Sequence, residues 1–335
     1  MTNNDQENND NTNIWKELEK YFIAQPEPII GAKTIQILII REILDYAAFR
    51  TEDTKELNTM VTPTSVEIKD QISRVAFLAS KQKAAENREM ERMLRTAINA
   101  LGEKDKKESP FKDIKEDCYL KDNLCRKCPR CILHGATALN KEANIKHRIE
   151  YSTATSLLAW NDIEETITFN AINDKNISTG QALGTRYLVK PASIFPSIIT
   201  LKSITKEEFI LAVKTLLSCK SYGAETRIGG DIRNHIVGIV AGWEEVITSL
   251  EFTLELYDKI INATGDINTI KKQITSILGT YKEMAGNKNK IIIEKETEKI
   301  IKAAQERDLD KIFLKKVYED AQNFYNSQNN NKKKK

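Results

Sequence analysis

The sequence predicts an α+β fold, an antiparallel sheet with helices on one face, and three observations predict it. The β-branched run Thr34 to Ile40 reads as a buried central strand. Ile72 to Leu78 reads as a second strand that passes directly into the helical stretch KQKAAENREMERMLRTAINAL. Residues 187–240 then run strand, strand, helix, strand, so the two halves share one arrangement.

A chain of 335 residues can bury a substantial core without disulfides. Residues 1–13, rich in Asn and Asp, lack the apolar side chains needed to offset the entropy of ordering and are expected to form a disordered tail. The core is expected over 14–260, with 102–150 as an insertion, a helical region over 261–326 and a disordered basic tail over 327–335. The N-terminus has no cationic start, and the apolar run from Ile35 to Ile40 is too short to span a bilayer, so the protein reads as cytoplasmic, with no membrane partner.

Ile14 to Phe22 is a short amphipathic segment broken by Pro26 and Pro28, and after the central strand a short strand is expected at Ala47 to Arg50. In the long helix Ala85, Met90, Leu94 and Ile98 share a face, while Arg88, Arg92 and Arg95 stand among glutamates on a salt-bridged exposed face. Lys81 and Lys83 precede that helix without compensating acids and are the better polyanion candidates. The stretch with Lys141, Lys146, His147 and Arg148 reads as an exposed hairpin or loop, and Thr166 to Ala171 as a strand. Pro196 implies that the strand Ile194 to Leu201 has an edge or bulge, because proline cannot donate to a ladder. Thr205 caps the helix TKEEFILAVKTLLS, and Glu208 three residues on completes a capping box. Thr248 to Ile260 is a further helix, and helical periodicity returns in IKKQITSILGTYKEMA and from Glu294 to Tyr325.

The insertion carries four of the five cysteines, Cys118, Cys125, Cys128 and Cys131, spaced C-x6-C-x2-C-x2-C. Two-residue spacers let thiolates converge on one ion, and four soft ligands satisfy tetrahedral zinc with no open position, which describes a structural site. His134 is an alternative ligand as C-x2-H, and an iron–sulfur cluster is an alternative occupant. A catalytic zinc of the deaminase kind fails on residue types, because His134 is followed by Gly135 and Ala136 where an H-x-E pair is needed.

The formal net charge is only +3, so any polyanion site must be local. Lys115 to Arg148 holds eight cations against four acids, and Arg186 to Arg233 the same. Within the second stretch, Ser218 to Val240 joins a helix to a strand through a turn holding Gly223, Gly229 and Gly230 with Lys220, Arg227 and Arg233. Glycines let the backbone approach a ligand closely and adjacent cations can meet phosphate, although such a turn also serves simply to connect two elements. His147 has cationic neighbours and no carboxylate, and no nucleophile with a base is found.

The segments REILDYAAFRTEDT, SRVAFLASKQKAAENREMERML, CYLKDNLCRKCPRC, GTRYLVKPASIFPSIITL and SYGAETRIGGDIRNHIVGIV, in this order, resemble the backbone subunit of type I-D CRISPR effector complexes, the Csc branch of the Cas-seven family. The resemblance covers about Thr34 to Ile260 and rests most on YGA-x-T-x-x-x-G-x-x-R-N-H-I-V-G-I. It implies an RRM-like, ferredoxin-like core with large inserted loops, one of them zinc-bound. It also implies several copies stacked along a CRISPR RNA beside other effector-complex subunits, with target DNA read by base pairing to the guide. The sequence departs at Ala192-Ser193, where relatives tend to carry Gly-Thr, and at the doubled Gly229-Gly230. Candidate RNA contacts are Arg41, Arg50, Lys81, Lys83, Arg88, Arg186, Lys190, Arg227 and Arg233, with Tyr222 as a stacking platform or a core ring. The expected role is RNA binding without catalysis. A nuclease acting through a loop aspartate, for which Asp45, Asp53 and Asp231 stand nearest, is the alternative.

Overall fold

A computed structural model describes residues 14–51, 54–114, 118, 124–137, 144–169, 172–173, 178–179, 184–223, 225, 228–260, 267–284 and 289–333. The expected tail 1–13, Arg227, Asp53 and Lys141 lie outside the described residues. Helix α1 spans 14–19, and β1 (Thr34–Ile43) follows it. A hairpin of β2 (Thr59–Pro63) and β3 (Gln71–Phe77) leads into α2 (Ala79–Asn99) and the short α3 (Glu103–Lys106). The cysteine segment ends in α4 (Pro129–His134), followed by β4 (Ile149–Tyr151), β5 (Ala154–Thr155) and α5 (Trp160–Ile163). A two-stranded ribbon pairs β6 (Glu164–Phe169) with β9 (Gly184–Val189), and β7 (Ile172–Asn173) pairs with β8 (Ser178–Thr179) between them in sequence. Then come β10 (Ile194–Lys202), α6 (Lys206–Ser218), β11 (Ile232–Gly242), α7 (Ser249–Ile260), α8 (Ile267–Met284), β12 (Lys290–Ile293), α9 (Glu294–Glu306) and α10 (Lys311–Lys333).

The main sheet is antiparallel with strand order β12-β11-β1-β10-β4. Without the edge strand β12, the four others, counted along the chain, stand in the order 4-1-3-2, with α2 between the first two and α6 between the last two. That is the βαββαβ arrangement of ferredoxin-like folds. The apolar run in β1 explains its central place, since a strand covered on both faces carries no alternation. Ile35, Ile37 and Ile39 pack with Met90 and Leu94 of α2 and Phe209, Val213 and Leu216 of α6. Leu38 and Ile40 point the other way, onto Phe252 and Leu256 of α7 and Ile274 and Leu278 of α8. Helices therefore cover the expected face and the opposite face as well. The sheet surface on which a sheet-face RNA binder would stack bases lies under α7 and α8.

Local signals act as read at several points. Thr205 Oγ1 accepts the Glu208 N–H at 3.2 Å and the Glu208 carboxylate accepts the Thr205 N–H at 2.9 Å, the full capping box. Pro196 sits opposite Ile40 of β1, whereas β4 pairs only with Ile199, Thr200 and Leu201, so β10 has a free edge where the proline stands. The structure corrects other points. Ala47 to Arg50 forms no strand, only a single bridge from Ala47 to Val189. Arg148, placed by sequence on an exposed loop, is fully buried against Glu208 and the carbonyl of Ser203. The helix α10 continues to Lys333, through most of the stretch read as a disordered tail. The chain beyond Ile260 builds into the main core, through Ile292 of β12 and Phe313, Leu314 and Val317 of α10.

A basic groove and a cysteine cluster

One face of α2 and the turn after α6 form the two walls of a groove of about 820 Å³. Lys81, Ala84, Ala85, Arg88 and Arg92 recur every three to four residues, so they share the helix face that lines it. Opposite them stand Lys220, Ser221 and Gly223, with Ala48 and Arg50 from the segment after β1. Five cations, Arg50, Lys81, Arg88, Arg92 and Lys220, meet two carboxylates, Glu89 and Glu225, and the two small alanines leave the floor open. Cations spread along a groove match the spacing of charges on a chain of phosphates better than that of a single anion.

Two glycines are required for the turn's shape. Gly223 has φ +65°, and a Cβ there would meet the Ala48 carbonyl at 2.9 Å while that residue's N–H donates to the Gly223 carbonyl at 3.0 Å. Gly230 has φ +62°, and its carbonyl accepts the Tyr222 N–H at 2.8 Å. Gly229 has no such backbone demand.

A buried polar cluster holds the two walls together. Glu86, on the inner face of α2, accepts Arg41 Nη2 and the Tyr222 hydroxyl on Oε1, each at 2.9 Å, and the Tyr151 hydroxyl on Oε2 at 2.7 Å. Arg41 also donates to Asn234 Oδ1 at 2.9 Å and Ser197 Oγ at 3.1 Å. Arg41 and Tyr222 are 0% and 1% exposed, which removes both from the RNA-contact set. An odd-numbered residue of β1 points to the α2 side of the sheet, so Arg41 serves as Glu86's partner. Burial and then Glu86 push the Tyr222 hydroxyl well above its ordinary pKa, and it stays a neutral donor.

The remaining sequence candidates divide. Lys81 and Arg88 line the groove, but Lys81 and Lys83 lie inside the first turns of α2, not ahead of it. Lys83 points to the other side, towards His134 and His147, and burial lowers its pKa. Lys190 donates to the Asp162 carbonyl at 3.4 Å beside a separate apolar cavity of about 600 Å³. Arg233 is paired across the ladder with Glu42, 3.9 Å away, on the sheet face opposite Arg41. Arg50 and Arg186 both end on Glu225. Arg92 and Lys220 are the groove cations left out of the sequence candidates; the i, i+4 spacing from Arg88 pointed to the first, and its place beside Tyr222 to the second. Asp45 spends its carboxylate on the Tyr46 N–H at 2.8 Å, and neither Asp45 nor Asp231 lines the groove.

The four cysteines converge behind α2. Their sulfurs lie within 4.8 Å of one another, with Cys118 at 3.8 Å from Cys128 and 3.6 Å from Cys131, and Cys125 at 4.0 Å from Cys131. A tetrahedral ion with bonds of about 2.3 Å to sulfur needs edges of about 3.8 Å, so the four thiolates fit a metal ion. Arg130, 1% exposed, donates to Cys118 Sγ at 3.4 Å and to Glu91 Oε2 at 3.2 Å, tying the loop to α2 and offsetting thiolate charge. His134 stands outside this group; its ring lies beside Tyr151 with centroids 6.2 Å apart and both nitrogens buried without a hydrogen bond. Burial foremost, then Lys83 and Arg130, drives its pKa down to about 3.

A ferredoxin-like sheet, a groove at its side lined by five cations, and an insertion that gathers four cysteines define the class of protein by fold and site. The family model described as Csc2 Crispr matches residues 20–318, and the chain belongs to that CRISPR family. The crystal structure of Thermofilum pendens Csc2 superposes with a TM-score of 0.68 at 17% identity, covering 96% of this chain and 98% of that one. A chain of a CRISPR RNA-guided surveillance complex, pre-nicking, matches with a TM-score of 0.52 at 12% identity over 86% of this chain and 99% of its own. At such identities the likeness establishes a shared fold. No curated protein matches the sequence significantly. Among the described residues no helix is long and apolar enough to cross a membrane.

Proposed function

We propose that this protein is a CRISPR RNA-binding backbone subunit of a type I-D surveillance complex, in which several copies stack along one guide and present it for pairing with target DNA. The observation that carries this reading is the groove between α2 and the turn at residues 219–223, where five cations from three parts of the chain face one open channel. Membership of the Csc2 CRISPR family supports it, as does likeness in fold to a chain of an RNA-guided surveillance complex. Contacts of this kind hold the phosphates and leave the bases free, which suits a subunit whose guide does the reading. Lys81, Arg88, Arg92 and Lys220 are the direct phosphate contacts of this account.

Zinc is the ion that Cys118, Cys125, Cys128 and Cys131 hold. Its role is structural, because four thiolates leave no position for a substrate. The role of the subunit is binding, not cleavage. The test is to purify the protein with its companion subunits and analyse the nucleic acid, then add a matched single-stranded target. The account expects short RNA of defined length and no cuts. Protein free of RNA, or cuts at regular intervals lost on an aspartate replacement, would overturn it.

A further inference from the structure

Arg50, from the segment after β1, and Arg186, from β9, converge on a single carboxylate, that of Glu225. Arg50 Nε donates to Glu225 Oε1 at 2.7 Å with its Nη2 2.5 Å from the same oxygen, and Arg186 Nη1 pairs with Oε2. Glu225 and Arg50 both line the groove, and the side chains of Glu225, Arg50 and Arg186 are 18%, 22% and 38% exposed, so the cluster is part-open to solvent although Glu225 Oε2 itself is buried. The Glu225 backbone is bonded to that of Ile228: the Glu225 N–H donates to the Ile228 carbonyl at 2.9 Å and the Glu225 carbonyl accepts the Ile228 N–H at 3.0 Å, while Ile228 is buried with Ala48 and Leu188. Rotation about the Glu225 side-chain torsions is enough to turn the carboxylate away from both arginines while these two bonds stay in place.

A guanidinium fork recognises the paired oxygens of a carboxylate and the two non-bridging oxygens of a phosphodiester in the same way. We propose that Arg50 and Arg186 form a phosphate subsite that Glu225 fills in the free protein and that a backbone phosphate of single-stranded RNA takes over. This rests on the RNA-binding reading above. The glutamate keeps two arginines together that would otherwise repel, and it sets a threshold. A strand already held by the groove brings its phosphate at high local concentration and displaces the carboxylate, whereas an isolated anion does not.

The sign of one substitution separates this from a purely structural brace. A brace whose loss misaligns the arginines gives weaker binding on Glu225→Gln; an occupant that competes with phosphate gives tighter binding. Anisotropy with a labelled single-stranded RNA of mixed sequence is expected to show Glu225→Gln about twofold to fivefold tighter than wild type, the worth of an ion pair released near the surface. The gain should vanish when Glu225→Gln is added to Arg50→Ala/Arg186→Ala, and Glu319→Gln, an exposed carboxylate on α10 outside the groove, should change nothing. Unchanged or weaker binding by Glu225→Gln, or an equal gain in the double-arginine background or from Glu319→Gln, overturns the subsite. Wild-type protein that fails to bind RNA at low salt overturns the RNA reading along with it; wild-type binding with no gain from Glu225→Gln overturns the subsite alone.

Discussion

Replacing Lys81, Arg88 and Lys220 together by Ala removes three cations from both walls of the groove, and the structure sets the size of the loss. None of the three is in the core, so thermal stability should be unchanged. Each phosphate contact on a single strand contributes about 0.7 to the slope of log K against log salt, so the slope should become shallower by about 2. Referred to 1 M salt, where that contribution vanishes, three contacts correspond at 0.15 M to about 1.7 decades, a loss of roughly 50-fold. At 0.5 M the same variant should lose only about fourfold. A salt series of anisotropy titrations with single-stranded RNA reads both numbers. Weakening of equal size at every salt concentration would mean that the groove had collapsed, and no weakening would mean that the strand runs elsewhere.

Three other outcomes follow from particular residues. Purified protein should carry one zinc per chain, and Cys131→Ser, at 0% exposure within the cluster, should lose it and melt several degrees lower, as seen by metal analysis beside thermal denaturation. His134 is held neutral by burial, with a folded pKa of about 3 against 6.5 unfolded, so the unfolded chain binds the extra proton. Its stabilising contribution is complete above pH 6.5 and falls by up to about 1.4 kcal/mol per pH unit as pH drops from 6.5 towards 3; zinc-loaded His134→Leu should lack that part of the slope in denaturant titrations. Ala192 adopts φ +63°, the left-handed conformation, so Ala192→Gly should stabilise the protein by about 0.5–1 kcal/mol and raise Tm by about 1–3 °C.

Much of this architecture is written locally. The apolar run of β1, the capping box of α6 and Pro196 at the free end of β10 each follow from neighbours in sequence, and four cysteines at short spacing announced their own cluster. What local reading misses depends on partners far away along the chain. Arg41 looks like a charge at a strand end until Glu86, 45 residues on, meets it across the core. Tyr222 looks like a stacking ring until the same carboxylate takes its hydroxyl, 136 residues back. The groove has this origin too: its walls come from α2 and from the turn after α6, and helical periodicity marks the exposed face of α2 without saying what stands across from it. β12 is four residues long and owes its place to the open edge of β11, which no pattern within KIII reveals. Ala192, one of the positions where the resemblance leads one to expect glycine, adopts the left-handed backbone that glycine takes without strain.

The central claim, that RNA lies in the groove between α2 and the turn at 219–223, is tested most directly by photocrosslinking. Thiouridine-substituted single-stranded RNA is bound at physiological salt, irradiated, and the crosslinked peptides are mapped by mass spectrometry. The account predicts crosslinks within Lys81–Arg92 and Cys219–Gly223. Crosslinks confined to the α7–α8 side of the sheet, or to no defined site, would contradict it.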